Sequence, residues 1–351
     1  MEEIVEDILH QHPHLRYWFP DRLLEIFQSE DIPARLMEAS THIESLHQRT
    51  PIIPYGKIEL DDYDLILWLK LDTLNSGNSF KDRGSAYAIH RGMQQGLLQP
   101  GDEVVTASAG NHALGVIKAA NDNGLEATVF MAKSTPERKI QRAKSMTPGV
   151  VLEGESYHDA AEAALEYVLE TGSSYIPAYQ HPDIILGQST ILTEAVQQLQ
   201  ELGAFPHFFT FPVGGGGLST GAAIAAHHHS ALHKRKMLVF GVQTLNYSSM
   251  AESLRGGTPI ESNYSDGTIA DGIQVTKASP EMLELSLRYL DGMVTLGEDQ
   301  IKAAIKEVYF AESIRHYQGL TPEELLACHA RFGFHPNHLQ NGNLERMHIL
   351  E

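Results

Sequence analysis

The stretch FFTFPVGGGGLSTG, Phe208 to Gly221, is a short apolar run of strand length, then four consecutive glycines, then the start of a helix-like segment that continues to His233. Without side chains, the backbone of Gly214 to Gly217 can approach an anion closely, and successive N–H groups plus a helix N-terminus turn positive charge toward it. The stretch therefore predicts a phosphate cup at a strand–helix junction. It is not a dinucleotide fingerprint, because the last glycine of G-x-G-x-x-G falls on Ser219 or Thr220, and no Gly-Lys-Ser/Thr follows that would make a Walker loop. Gly217 to Gly221 also matches the G-x-S-x-G of hydrolases, with Ser219 as nucleophile. Against that reading, the glycines separate Val213 from Leu218 and push Ser219 into the helix rather than onto a sharp turn.

Working outward, the same strand–helix alternation recurs. A helix over 187–202 precedes the stretch and a strand over 238–243 follows it. Upstream, strands are expected at 104–107, 127–131, 150–152 and 175–179, with helices at 111–121, 136–144 and 157–169 between them; Thr135 is the expected cap of the second helix, with Pro136 at its first position. Strands that alternate with helices of this length pair in parallel through crossovers, so the fold class is α/β with mostly parallel sheets. A further strand at Leu65 to Leu71 and a helix from about Asp82 to Gln95 come before this series. The expected division is a small domain, 103–181, inserted in a large one, 41–102 with 182–351, behind an N-terminal helical extension, 1–40. The first 31 residues hold eight acids against Arg16 and Arg22, with Tyr17, Trp18 and Phe19 between them. They read as helical segments packed on the outside of a domain or as a partly disordered acidic leader.

Composition narrows the function classes. The 351 residues carry 26 Lys and Arg against 45 Asp and Glu, a net charge of −19, which argues against nucleic acid and anionic membrane as partners. Cys328 is the single cysteine, which excludes an intrachain disulfide and a cysteine zinc cluster and suits a reducing compartment. Acids at 2, 3, 6 and 7 interrupt the start where a signal peptide needs an apolar run, and no stretch is apolar for long enough to span a membrane. The expected location is the cytoplasm.

Two more segments bear chemistry. Lys81, in SFKDRG at 79–84, stands at the head of a helix, where the dipole disfavours a cation and lowers an ammonium pKa; the alternative is an exposed, solvated lysine. In SAGNH at 108–112 a strand end meets a helix start, so its amides are free to hold a carboxylate and Asn111 offers a neutral donor, while His112 reads as structural. Three adjacent histidines, His227 to His229, lie about 100° apart around a helix and cannot converge on one ion; they read as an exposed polar face.

The segments SGNSFKDRG (76–84), SAGNHALGV (108–116) and PVGGGGLSTG (212–221), in this order and spacing, closely resemble the fold-type II pyridoxal-phosphate enzymes, in the threonine/serine dehydratase and serine racemase branch. His181-Pro182-Asp183 with Gly187 to Thr190, Glu252 to Leu254, and Thr268 to Ile273 add to the likeness, which covers roughly residues 35–310. The resemblance implies two three-layer αβα domains and pyridoxal phosphate as cofactor. It implies that Lys81 forms the Schiff base and serves as base, that Phe80 lies against the ring, that Asn111 bonds the ring hydroxyl, and that Gly214, Gly215, Gly216, Gly217 and Leu218 bind the phosphate. Ser108, Ala109, Gly110, Asn111 and His112 would hold the carboxylate of a small amino-acid substrate. The implied reaction is loss of water and ammonia from a β-hydroxy amino acid such as threonine or serine to give a 2-keto acid, by a chain that is commonly a homodimer.

The chain departs from the pattern in places. Racemase-like members have a serine where Ala109 stands, which favours elimination over racemisation. Gln243 and Ser249 hold places where many relatives have cation-binding acids, so no metal is expected. The family's hydroxyl facing the pyridine nitrogen has Thr321 as its nearest counterpart, in a run that also makes a good capping box. A non-catalytic or altered-activity relative that binds the cofactor is the alternative reading.

Overall fold

The computed structural model describes residues 1–20, 22–46, 49–59, 64–262 and 267–310. The chain opens with helices α1 (Glu2–Gln11), α2 (Leu23–Ser29) and α3 (Ile32–Leu46), with a 3-10 turn at Pro13–Trp18 between the first two. Strands β1 (Ile52–Glu59) and β2 (Asp64–Lys70) follow, then α4 (Lys81–Gln94), β3 (Glu103–Ala107), α5 (Asn111–Asp122), β4 (Glu126–Met131) and α6 (Glu137–Lys144). After these come β5 (Gly149–Leu152), α7 (Tyr157–Thr171), β6 (Ser174–Tyr175), α8 (Pro182–Glu201), β7 (Phe208–Pro212) and α9 (Gly217–His233). The series ends with β8 (Leu238–Thr244), α10 (Ser249–Gly256), α11 (Pro280–Tyr289), β9 (Gly292–Leu296) and α12 (Glu298–Phe310). Contacts group the chain into two compact units: Met1–His47 with Asn75–Thr190, and Gln48–Leu74 with the chain from Ile191 on. This grouping sets the first helices and residues 75–102 with the 103–181 segment.

In the first unit the sheet runs β5-β4-β3-β6, every pair parallel, with Val104 on Ala127 and on Ser174. Its strands are apolar on both faces, as parallel strands under helices are, and Val104, Val105, Val129 and Phe130 are buried. Local chemistry sets the ends of α7. Ser156 and Asp159 form a reciprocal capping box and Gly172 closes the helix in the left-handed region at φ 70°. Helices α4 and α8 meet through glycines: a Cβ on Gly187 would lie 2.6 Å from the Arg83 carbonyl oxygen, and one on Gly84 would lie 2.9 Å from that of Ile184. The first helices are built into this unit through Ile8, Leu15, Trp18, Leu23, Phe27, Leu36 and Ile43, all buried, so they form the packed alternative of the two the acidic segment offered.

In the second unit β7-β8-β9 is again parallel, and β1 with β2 makes an antiparallel pair, Ile52 opposite Lys70 and Glu59 opposite Asp64. The α/β class with parallel sheets is as expected from the alternation. The strand expected at Leu65 to Leu71 is β2 of this antiparallel pair. Two local expectations are corrected. Pro136 stands outside its helix, as the N-cap at φ −55° and ψ 134°, and no side chain caps that end; α6 starts at Glu137. The strand expected over 175–179 is cut to Ser174–Tyr175, where Pro177, lacking an N–H, cannot continue the ladder. Among the described residues no helix is long and apolar enough to cross a membrane.

Candidate active site

Lys81 is the first residue of α4 and is presented by a tight turn. Asn78 adopts φ 64°, and the Asp82 carboxylate accepts from the Gly77 amide at 2.6 Å and the Ser76 hydroxyl at 3.3 Å. The Ser79 hydroxyl accepts from the Lys81 amide at 3.0 Å. Aspartate suits this place twice over, since it satisfies turn amides and places an anion in the first helical turn. The Lys81 Nζ donates to the Ala178 carbonyl at 2.7 Å and lies 5.5 Å from the centre of the Phe80 ring. Burial brings the lysine down to a pKa of about 8. The solvated-lysine alternative is thereby set aside, and a larger share of the amine is neutral near neutral pH than in a solvated lysine.

The 108–112 loop joins β3 to α5 in the same unit. Ser108 accepts from the Gly110 amide through its hydroxyl at 3.1 Å, so it shapes the loop. Gly110 is the extended N-cap of α5, Asn111 its first residue, and Ser108, Ala109, Gly110 and Asn111 are all half-buried. His112 is buried; its Nε2–H donates to the Ile176 carbonyl at 3.1 Å and its Nδ1 has no partner among the described residues. Burial first, and then the neighbouring Lys81 charge, depress its pKa to about 3, so the imidazole is neutral. Helix α5 comes close to α4 because position 115 is glycine: a Cβ there would stand 3.0 Å from both the Lys81 carbonyl oxygen and the Ser85 hydroxyl. The structure thus brings Lys81, Phe80 and the 108–112 loop together.

In the second unit, Gly214 to Gly217 connect β7 to α9. Gly216 caps the helix at φ 91°, a conformation that side chains rarely tolerate, and Gly217 is its first residue. A Cβ on Gly214 would come within 3.1 Å of the Ile273 Cα, so the Thr268–Ile273 motif closes over the loop; one on Gly216 would touch Met250 and Met282 at 3.4 Å. The amides of Gly215, Gly216 and Gly217 have no acceptor among the described residues. With Leu218 they stand at the positive end of a 17-residue helix. Ser219 is fully buried and donates to the Gly216 carbonyl at 3.1 Å, which removes it as a hydrolase nucleophile.

Other expected positions resolve as follows. The Gln243 side-chain oxygen accepts from the Ala251 amide at 3.0 Å and the Ser249 hydroxyl donates to the Val275 carbonyl at 2.9 Å. The three histidines are not a uniform exposed face. His229 is buried, stacks on His233 at 5.8 Å and is brought to a pKa of about 4 by burial and by His228 and His233. Among the described residues no three His, Cys, Asp or Glu side chains are placed to share a metal ion. Thr321 lies outside the described residues. Sequence reasoning missed the Ile176 and Ala178 carbonyls, because a backbone acceptor leaves no mark in residue type. It also missed Gly115, whose helical position is the one signal that could have pointed to a close helix contact.

Residues 43–316 match the family model described as pyridoxal-phosphate dependent enzyme. Over 242 residues, 69% of this chain and 38% of its relative, the chain is 39% identical to a threonine dehydratase of Nicotiana attenuata. Over 270 residues, 77% of this chain and 64% of the other, it is 35% identical to an L-threonine ammonia-lyase of Thermotoga maritima. It thus spans between 38% and 64% of the length of these curated relatives. Among solved structures it is similar to the processed form of threonine deaminase isoform 2 from Solanum lycopersicum, with TM-score 0.70, 29% identity, and 87% of this chain and 79% of that one covered. Maize serine racemase shares the fold, with TM-score 0.70 at 23% identity over 85% and 86% of the two chains. With the family model matched over most of its length, the chain belongs to the pyridoxal-phosphate dependent enzymes.

Proposed function

We propose that the chain is an ammonia-lyase that converts a β-hydroxy amino acid, threonine or serine, to a 2-keto acid and ammonia. The observation that carries this reading is Lys81, a half-buried amine at a helix start with its pKa lowered to about 8. The named relatives, threonine dehydratase and L-threonine ammonia-lyase, support this substrate class.

The residues present fit pyridoxal phosphate. The amides of Gly215 to Gly217, without acceptors among the described residues and in a cradle that a Cβ at 214 would crowd, suit its phosphate. Lys81 would take its aldehyde carbon, Phe80 would lie against its ring and Asn111 would bond its ring hydroxyl. When bound, the cofactor supplies an electron sink for charge that develops at the substrate Cα. The protein does the rest. The amides of Ser108 to His112 hold the substrate carboxylate, Lys81 removes the Cα proton, and the methyl of Ala109 offers no proton of its own, which favours elimination. His112 stays neutral beside Lys81 and so adds no charge that would oppose protonation of the amine. As part of the same reading we take the enzyme to be a cytoplasmic homodimer, whose oligomeric state light scattering would check.

Purified chain loaded with pyridoxal phosphate is expected to release 2-keto acid from threonine or serine when hydroxy amino acids are screened. Full cofactor loading with no keto acid from any of them would instead favour the non-catalytic reading. Gly216→Val is expected to weaken cofactor binding at least tenfold, because φ 91° is strained for valine and its side chain crowds Met250 and Met282. Absorbance titration of wild type and variant measures it, and equal affinities would rule out the glycine loop as the phosphate site.

A further inference from the structure

The aromatic run Tyr17, Trp18 and Phe19 and the His181-Pro182-Asp183 triplet are motifs that the reaction does not itself use, and the structure joins them. His181 is fully buried; its Nε2–H donates to the Tyr17 carbonyl at 2.8 Å and its Nδ1 accepts from the Asp183 amide at 3.2 Å. The buried Asp183 carboxylate accepts from the Tyr17 hydroxyl and pairs with Arg35 of α3. The Tyr17 and Trp18 rings lie 4.9 and 5.5 Å from the His181 ring. Trp18, itself buried, fills the space beside Gly92 of α4, where a Cβ would stand 3.0 Å from the indole. At the other end of the segment the Phe19 ring stacks on Tyr175, 5.6 Å between centres and 11° between planes.

Residues 17–19 therefore grip both ends of the stretch 175–183. Its middle carries two acceptors for the site: the Ile176 carbonyl, which takes Thr106 at 2.9 Å and His112 at 3.1 Å, and the Ala178 carbonyl, which takes the Lys81 amine at 2.7 Å. Pro177 between them removes one free dihedral from the link. We propose that Tyr17 and Phe19 are positioning residues, which act through segment 175–183 to set the Ala178 carbonyl and with it the Lys81 amine. This gives the acidic first segment a part in the reaction without contact to substrate, and it rests on the functional reading above. A fixed amine matters because a misplacement of about 1 Å costs orders of magnitude in a proton or group transfer.

The test uses full-length chain loaded with pyridoxal phosphate and the variants Phe19→Ala, Phe19→Trp and Tyr17→Phe. Three quantities are read: the rate at which cofactor attaches at Lys81, trapped with borohydride and located by peptide mapping; the visible circular dichroism of the bound cofactor; and kcat and KM for the best substrate. Phe19→Ala is expected to slow attachment and lower kcat at least fivefold, with a changed dichroic band and KM within twofold, and Phe19→Trp is expected to restore all three. Tyr17→Phe keeps the ring contacts and loses only the hydroxyl to Asp183, so it is expected to fold and to show a smaller change, about twofold, in the same direction. If Phe19→Ala does not fold, Tyr17→Phe decides. Folded variants with wild-type attachment rate and dichroism would overturn the proposal while the functional reading stands; wild-type chain that attaches no cofactor at Lys81 would overturn that reading itself.

Discussion

Lys81→Ala is expected to abolish covalent attachment of pyridoxal phosphate and to lower release of 2-keto acid by more than about a thousandfold, on the order of 4 kcal/mol of transition-state stabilisation. The size follows from the amine's two tasks, attachment and removal of the Cα proton. At pH 7.5 a lysine of pKa about 8 is about one quarter neutral, whereas an unperturbed one is neutral in about one molecule per thousand. Burial thus raises the reactive fraction by a factor of a few hundred, and turnover should climb as pH rises through about 8. Lys81→Arg keeps a cation but cannot give up its proton, so it should be as inactive as the alanine variant. Lys81→Ala should not lower the melting temperature by much, because it removes an amine whose burial disfavours its charge. Keto acid assays, absorbance spectra and melting curves of the three proteins check this. An alanine variant with the activity of wild type would remove Lys81 from the chemistry.

Features of the site that depend on residue type and local spacing were legible in the sequence. Four glycines between a strand and a helix have few physical uses, and Gly216 at φ 91° shows why glycine is required. Lys81 at a helix head and the small residues of 108–110 were legible for the same reason: dipole, amides and steric room are local properties. What depends on which distant groups meet was not legible. The Ala178 and Ile176 carbonyls look like any others in a sequence, yet one holds the lysine and the other the histidine. Pairing of β1 with β2 needed register information, since a lone apolar run such as LILWLKL fits a parallel or an antiparallel sheet equally well. His229 was read as exposed because helical geometry gives directions around an axis but not what packs on each side. The acidic first segment hid its packing similarly: its described acids face water, and its buried side chains, Trp18 above all, are spaced for a 3-10 turn and short helices rather than one long amphipathic stripe.

The same burial that tunes the site sets a limit in acid, and the chain is expected to lose its folded state between about pH 5.5 and 4.5. His112 and His181 are held to a pKa of about 3 and His229 to about 4, by burial in each case, against 6.5 for an exposed histidine. Between those values and 6.5 the unfolded chain binds protons that the folded chain refuses, so stability falls as pH falls, beginning near 6.5. At pH 4.5 each histidine costs between about 2 and 3 kcal/mol, and the three together about 8 kcal/mol, comparable to the whole stability of a typical domain. Protonating His181 on Nδ1 sets a new N–H against the Asp183 amide, a cost that the Asp183 carboxylate 3.9 Å away offsets in part, and protonating His112 places a second charge beside Lys81. His181→Gln can still donate to the Tyr17 carbonyl and accept from the Asp183 amide but cannot take up a proton, so it should flatten the loss by about one third between pH 6.5 and 4.5. Unfolding in urea at pH 7, 5.5 and 4.5 for both proteins measures this. A midpoint that stays level down to pH 4.5 would show that these histidines open to solvent before they charge, and a variant with the wild-type slope would take His181 out of the account.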